Sequence, residues 1–168
     1  MTSADEGPER EFQRLVAGLD YPLFIVTVTG GGERSGCLIG FATQCSIHPP
    51  RYWACVSKAN HTWRVAVEAR TMVVHVPSPE ERGLVELFGG ETGDDVDKFS
   101  LVPWEPGPDG VTPVLSGCRR WFAGTILQQV DSGDHTSFLL EPFAASSGPE
   151  EGQIGFQEAR DVSPGHEP

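Results

Sequence analysis

Ser57-Lys58-Ala59-Asn60-His61-Thr62 gathers two hydroxyls, an ammonium and an amide within one short stretch. A phosphate is held by charge-assisted hydrogen bonds, and these groups can supply them. Lys58 would neutralise charge while Ser57, Asn60 and Thr62 fix orientation. The stretch also stands where a helix should begin, so Asn60 or Thr62 can serve as its cap, and the two uses are compatible. A second candidate is Ala42-Thr43-Gln44-Cys45, at the end of an apolar run that Pro49-Pro50 stops. Free backbone groups beside small side chains can read the donor–acceptor edge of a polar ring. An ordinary strand ending in a turn has the same pattern. The third candidate is His135, just past Gly133-Asp134, where an imidazole can face a cleft or be solvated at a hairpin turn.

Patterning predicts the elements that must position these residues. Phe12, Leu15, Val16 and Leu19 recur at helical spacing, which predicts an amphipathic helix over about Glu9–Leu19. Tyr21–Thr29 is rich in β-branched and aromatic residues and predicts a strand. The glycine-rich loop from Gly30 to Gly36 turns the chain into a second strand, roughly Cys37–Thr43. Strands over Tyr52–Ser57 and Thr71–Val76 flank a short helix over Thr62–Ala69. Ser78-Pro79-Glu80-Glu81 has the form of a capping box and starts a helix that ends at Gly89-Gly90. After an acidic, loop-like stretch, strands are expected at Val114–Leu115, Trp121–Val130 and Thr136–Phe143, the last two joined by a turn at Asp131–Asp134. The polar stretches at residues 1–10 and 146–168 read as a flexible and a disordered tail around one domain at 11–145. Many short strands with few helices predict an antiparallel barrel, closed or partly closed, with helices at its rim.

Composition narrows the partners. A chain of 168 residues supports one domain with a real core. A formal charge of −12 repels nucleic acid and anionic membranes, so neither is an expected partner, and a phosphate must be held by local donors. Cys37, Cys45, Cys55 and Cys118 form no Cys-x-x-Cys pair, and no charged apolar leader opens the sequence. The expectation is a cytoplasmic protein with reduced thiols and no metal, since neither cysteines nor histidines fall at ligand spacing. No apolar run reaches membrane-spanning length. Gly30-Gly31-Gly32-Glu33-Arg34-Ser35 only approximates a dinucleotide fingerprint, because Ser35 stands where a third glycine belongs and a strand follows. Phosphate-binding P-loop, zinc H-E-x-x-H and nucleophile-elbow motifs are missing from the sequence, which removes the commonest hydrolase readings.

Taken in order, Pro22-Leu23-Phe24-Ile25-Val26-Thr27-Val28, Gly40 to Pro50, Ser57 to Thr62, Lys98-Phe99 and Gly133-Asp134-His135 resemble the flavin reductase-like family. The likeness runs from about Asp20 to Ala145. It implies a mainly β fold, a six-stranded antiparallel split β-barrel of Greek-key type with a few peripheral helices. It also implies a homodimer with flavin near the subunit interface. By position, Ala42, Thr43, Gln44 and Cys45 would line the ring and ribityl chain, and Ser57, Lys58, Asn60 and Thr62 would hold the phosphate. Gly89, Gly90 and Lys98-Phe99 would belong to a loop closing over the site, with His135 beside the flavin and the incoming nicotinamide. The implied cofactor is FMN, with FAD possible, and NADH or NADPH is the hydride donor. Reduced flavin would pass to a partner such as a flavin-dependent monooxygenase. Two rivals are a flavin carrier or electron-transfer protein inert to nicotinamide, and a split barrel that has lost its ligand.

Overall fold

The computed structural model describes residues 7–149 and 151–165. The expected loose N-terminal tail lies, for residues 1–6, outside the described residues. Nine strands and three α-helices follow in order: α1 (Pro8–Ala17), β1 (Phe24–Gly30), β2 (Glu33–Ile39), β3 (Ala42–Ser46), β4 (Arg51–Ser57), α2 (His61–Ala66), β5 (Thr71–His75), α3 (Arg82–Gly90), β6 (Trp104–Pro106), β7 (Pro113–Leu115), β8 (Trp121–Asp131) and β9 (His135–Ser146). Seven strands form one antiparallel sheet in the order β2-β1-β5-β8-β9-β4-β3, and β6 with β7 makes a separate ribbon. The fold is the expected mainly β antiparallel architecture, with one strand more in the main sheet than expected.

The extra strand has a local cause. The expected second strand, Cys37–Thr43, breaks at Gly40-Phe41 into β2 and β3, the two edges of the sheet. A Cβ on Gly40 would sit 2.5 Å from the Tyr21 ring, so only glycine lets the chain turn this corner. Consecutive strands at opposite edges require the sheet to curl upon itself, and the seam between them is the split. One backbone bond reaches the corner from inside the sheet, Cys55 N–H to the Phe41 carbonyl at 2.9 Å. The first hairpin is tighter than expected. Its loop is Gly31-Gly32 alone, both with positive φ (58° and 80°), matching the strand twist as a two-residue turn must.

Alternation along β1 divides the core. Phe24, Val26 and Val28 point into the barrel with Cys37, Ile39, Ala54, Val56, Met72, Val74, Phe138 and Leu140. Ile25 faces outward and is covered by Phe88 of α3, Phe99, Leu115 and Cys118. The helix after Ser78 begins with a 3₁₀ turn at Pro79–Glu81, and the Glu81 carboxylate accepts the Ser78 N–H at 2.9 Å. Helix α1 forms as expected but buries none of its residues, leaving Phe12 and Leu15 60% and 64% exposed.

The C-terminal stretch departs most from expectation. Instead of a disordered tail from 146, β9 runs through Ser146, and residues 153–165 form a strap across the start of β1 and α3. Ile154 and Ala159 are buried with Leu23 and Val85, and Phe156 and Val162 pack against them. These apolar side chains, spaced among polar ones, supply enough surface to fix the segment. Glu150 and residues 166–168 lie outside the described residues.

His75 shows how the core constrains pH stability. It is fully buried, with Nδ1 3.0 Å from the Ile25 carbonyl, to which it donates, while Nε2 accepts the Leu115 N–H at 3.0 Å. This pattern needs the neutral ring, and burial pushes its pKa from 6.5 down to about 4. Between those values the unfolded chain binds a proton that the folded chain does not. Stability is therefore fully present above pH 6.5 and falls as pH drops through the window, by up to about 3 kcal/mol. Urea titrations at pH 7.5 and 4.5 should show this loss, and His75→Gln should flatten it. An equal slope in both proteins would assign the loss to other groups.

Candidate active site

The seam holds a cleft of about 380 Å³. One wall is the end of β2 and the corner, Cys37 to Phe41; Phe88 and Gly89 of α3, and Glu91 just after that helix, also line the cleft. Cys55 and Ser57 of β4, Asn60 and His135 close one end, and Phe156, Ala159, Val162 and Pro164 of the strap close another. The antiparallel register of β4 and β9 sets Ser57 opposite His135. This pairing brings two widely separated parts of the sequence to one end of the cleft.

His135 lies 5.1 Å, centroid to centroid, from the Phe41 ring, with Nδ1 2.6 Å from Asp134 Oδ1. The imidazole holds the Asp134 carboxyl below the usual carboxylate range. The contact fixes the ring at Nδ1 and turns the other edge of the imidazole away from Asp134. Gly133 takes φ +99° in the turn before it, and Ser132 N–H donates to the His135 carbonyl at 3.0 Å. Aromatic packing continues from Phe41 to Tyr21 (6.1 Å, tilted) and from Tyr21 to Phe156 (4.7 Å, stacked). The cleft thus carries aromatic side chains along Phe41, Tyr21 and Phe156, a polar cluster where Ser57, Asn60 and His135 meet, and the carboxylate of Glu91 beside α3.

The sequence-predicted residues divide. Ser57, Asn60, Gly89 and His135 line this cleft; Ala42, Thr43, Gln44, Cys45, Lys58, Thr62 and Gly90 do not. Asn60 caps α2, its Oδ1 accepting the Thr62 N–H at 2.9 Å. Thr62 is buried, its Oγ1 2.9 Å from Ser35 Oγ, and so steadies α2 against β2. Lys58 Nζ pairs with Asp131 Oδ1 at 2.9 Å. Gly90 lies beside the strap, where a Cβ would meet Ser163 and Val162. Ala42 to Cys45 belong to edge strand β3, where pairing with Trp53 and Ala54 of β4 supports the corner.

Sequence reading missed Leu38, Ile39, Gly40 and Phe41, and all of the strap. The signal for the first set was Gly40 itself, a glycine inside a strand pattern, which marks a bend or a close approach. The Cys37 thiol in this wall is pushed up to about 11 by burial, so it is protonated at neutral pH and acts as a small apolar group. Behind the wall, Lys98 is buried and donates to the carbonyls of Gly36 (3.1 Å) and Phe88 (3.2 Å). Burial lowers its pKa. A second, more polar cleft of about 460 Å³ lies on its far side. There His61 bridges Glu33 (2.5 Å) and Asp94 (2.9 Å).

Comparison with known proteins places the chain in a family. The family model described as "flavin reductase like domain" matches residues 16–160. An NADH-dependent FAD reductase of Streptomyces globisporus is 28% identical over 132 residues, 77% of this chain and 72% of that protein. The reductase component of a flavin-dependent trigonelline monooxygenase from Acinetobacter baylyi is 22% identical over 118 residues, 68% of this chain and 37% of that longer protein. The crystal structure of a flavin reductase domain protein from Arthrobacter superposes with a TM-score of 0.80 at 19% identity, covering 89% of this chain and 91% of that one, a likeness of fold.

Proposed function

Because the chain belongs to the flavin reductase-like family, we propose that the seam cleft binds FMN, or FAD in the same place, for reduction by NADH or NADPH. The chain is an NAD(P)H:flavin oxidoreductase. The observation that carries the site assignment is the shape of the cleft. It is a slot of about 380 Å³ with aromatic side chains in its walls and with Ser57, Asn60 and His135 gathered at one end. A flavin mononucleotide is likewise a flat apolar ring system with a phosphate at the end of a chain, and the slot has the size of small-molecule sites.

A flavin held here would supply the hydride acceptor for a nicotinamide donor. The chain supplies position. Leu38 and Phe41 offer apolar contacts for the ring, and Ser57 Oγ and the Asn60 side chain offer polar contacts for the phosphate. Lys58 does not line the cleft and would have to leave Asp131 to reach the phosphate. Ala42 to Cys45 act indirectly, by holding the corner. His135, fixed by Asp134, orients the nicotinamide over the ring, and the aromatic walls limit water there. No side chain need act as nucleophile or general base.

The first test is anaerobic mixing of protein and FMN with NADH, and separately with NADPH. Protein-dependent loss of flavin absorbance is expected with at least one donor. Flavin that binds without bleaching would favour the electron-carrier reading instead. His135→Ala is expected to lower kcat/KM for the nicotinamide about tenfold while FMN Kd changes less than about twofold. An unchanged kcat/KM would return His135 to the role of a turn residue.

Two further features belong to this reading. The exposed apolar side chains of α1, with Phe41 and Ile47 beside edge strand β3, support a homodimer that covers them. The acceptor of reduced flavin is a flavin-dependent monooxygenase in the cytoplasm. The resemblance to a monooxygenase reductase component supports that partner. No described helix is long and apolar enough to cross a membrane.

A further inference from the structure

The strap has two parts, unequally buried. Its inner part is woven into the barrel: Leu23 N–H donates to the Ile154 carbonyl (3.1 Å), Ile154 N–H to Pro77 (3.2 Å) and Phe156 N–H to Tyr21 (2.8 Å). Ile154 and Ala159 are buried, and Phe156 stacks on Tyr21. The outer limb, residues 160–165, carries no fully buried side chain. It is fastened by Arg82, by Val162, which packs against the Leu23, Val85, Ile154 and Ala159 cluster and whose N–H donates to the Ala159 carbonyl (3.0 Å), and by the Gly165 N–H, which donates to the Gly89 carbonyl (3.2 Å). Arg82 donates to Asp161 Oδ1 (2.6 Å) and to the Glu158 carbonyl (2.8 Å). This limb, less buried than the inner part, carries Val162 and Pro164, which line the cleft. Val162 lies against Gly89, where a Cβ would sit 3.4 Å from Val162 Cγ1 and 2.8 Å from Leu38 Cδ2.

Resting on the reading of the cleft as a flavin site, we propose that Val162 and Pro164 are flavin-retaining residues, and that the Arg82 clasp on the outer limb sets how fast flavin is exchanged. A reductase that hands on reduced flavin must bind it long enough for hydride transfer and then let it go. A wall that hinges beyond a buried anchor meets both needs. The anchor at Ile154 and Ala159 keeps the strap in register while the limb lifts, so opening leaves the barrel intact. Bound flavin in turn packs against Val162 and Pro164 and favours the closed limb.

The test uses the full chain loaded with FMN and two measurements. The first is the FMN dissociation rate on dilution, read from the fluorescence of released flavin. The second is tryptic cleavage after Arg160, which is exposed, read as release of the fragment that begins at Asp161. Saturating FMN is expected to slow that cleavage. Arg82→Met and Val162→Ser are each expected to speed FMN dissociation by about fivefold or more, with circular dichroism and melting temperature used to verify folding. Asp161→Asn, at a side chain 75% exposed, loosens the same clasp with little risk to folding and should shift the rate in the same direction. Equal dissociation rates in the unaltered protein and all three variants, or cleavage indifferent to FMN, would overturn the proposal. An unaltered protein that binds neither FMN nor FAD would overturn the flavin reading along with it, so the two failures are distinguishable.

Discussion

Asn60→Asp is expected to weaken FMN binding by about 30- to 1,000-fold while leaving riboflavin, which has no phosphate, within about threefold. The substitution is nearly isosteric and keeps the structural role of the residue. Asn60 caps α2 through Oδ1, which accepts the Thr62 N–H at 2.9 Å, and an aspartate carboxylate accepts the same bond and caps equally well. What changes is charge. If the phosphate lies against Ser57 and Asn60, the new carboxylate faces it at short range, and repulsion of about 2–4 kcal/mol follows for an effective dielectric near 20. The protein already carries a formal charge of −12, so no surplus of positive charge offsets the addition. Titrating unaltered and substituted protein with both ligands decides the matter. Parallel losses for FMN and riboflavin would remove the phosphate from this end of the cleft and leave Asn60 as a cap alone.

Local rules recovered most of the elements, but of the expected site residues only Ser57, Asn60, Gly89 and His135 line the cleft. The strands at Phe24–Gly30, Arg51–Ser57 and Thr71–His75 were legible because alternation or β-branched runs announce them. Ser57 and His135 were legible as chemistry, but their meeting depends on β4–β9 register, which no local pattern encodes. The shift of the cleft wall from Ala42–Cys45 to Cys37–Phe41 has the same origin. One apolar run became two strands at Gly40, and turning the corner changed which residues face the seam. Lys58 and Thr62 drew attention as donors, but tertiary partners from β8 and β2 engage them, Asp131 and Ser35. The strap was hidden by composition, since Ile154, Phe156, Ala159 and Val162 are diluted among glycine, glutamate and proline. Their value appears only where Leu23, Val85 and Tyr21 wait uncovered.

Gly30→Ala is expected to destabilise the fold by about 4 kcal/mol or more, a cost at the upper end for a single added methyl. Gly30 closes β1, and the C-terminal end of α2 lies directly on it. A Cβ there would sit 2.4 Å from the Val65 carbonyl oxygen, 2.9 Å from the Ala69 nitrogen and 3.0 Å from the Glu68 carbonyl carbon. All three neighbours are backbone, so no side chain can rotate aside, and either α2 lifts or the end of β1 bends. Gly32→Ala is the matched control two residues away. A Cβ there meets nothing within 4 Å, and its cost is that of a left-handed φ of +80°, about 1–2 kcal/mol. Lifting α2 also moves its cap, so Gly30→Ala should weaken FMN more than riboflavin even where the variant remains folded. Urea denaturation of the two variants beside the unaltered protein measures the first effect, and ligand titration well below the unfolding transition measures the second. A Gly30→Ala protein as stable as the Gly32→Ala control would mean that α2 does not rest hard on β1. The close approach of helix to strand would then no longer explain how Asn60 is held at the polar end of the cleft.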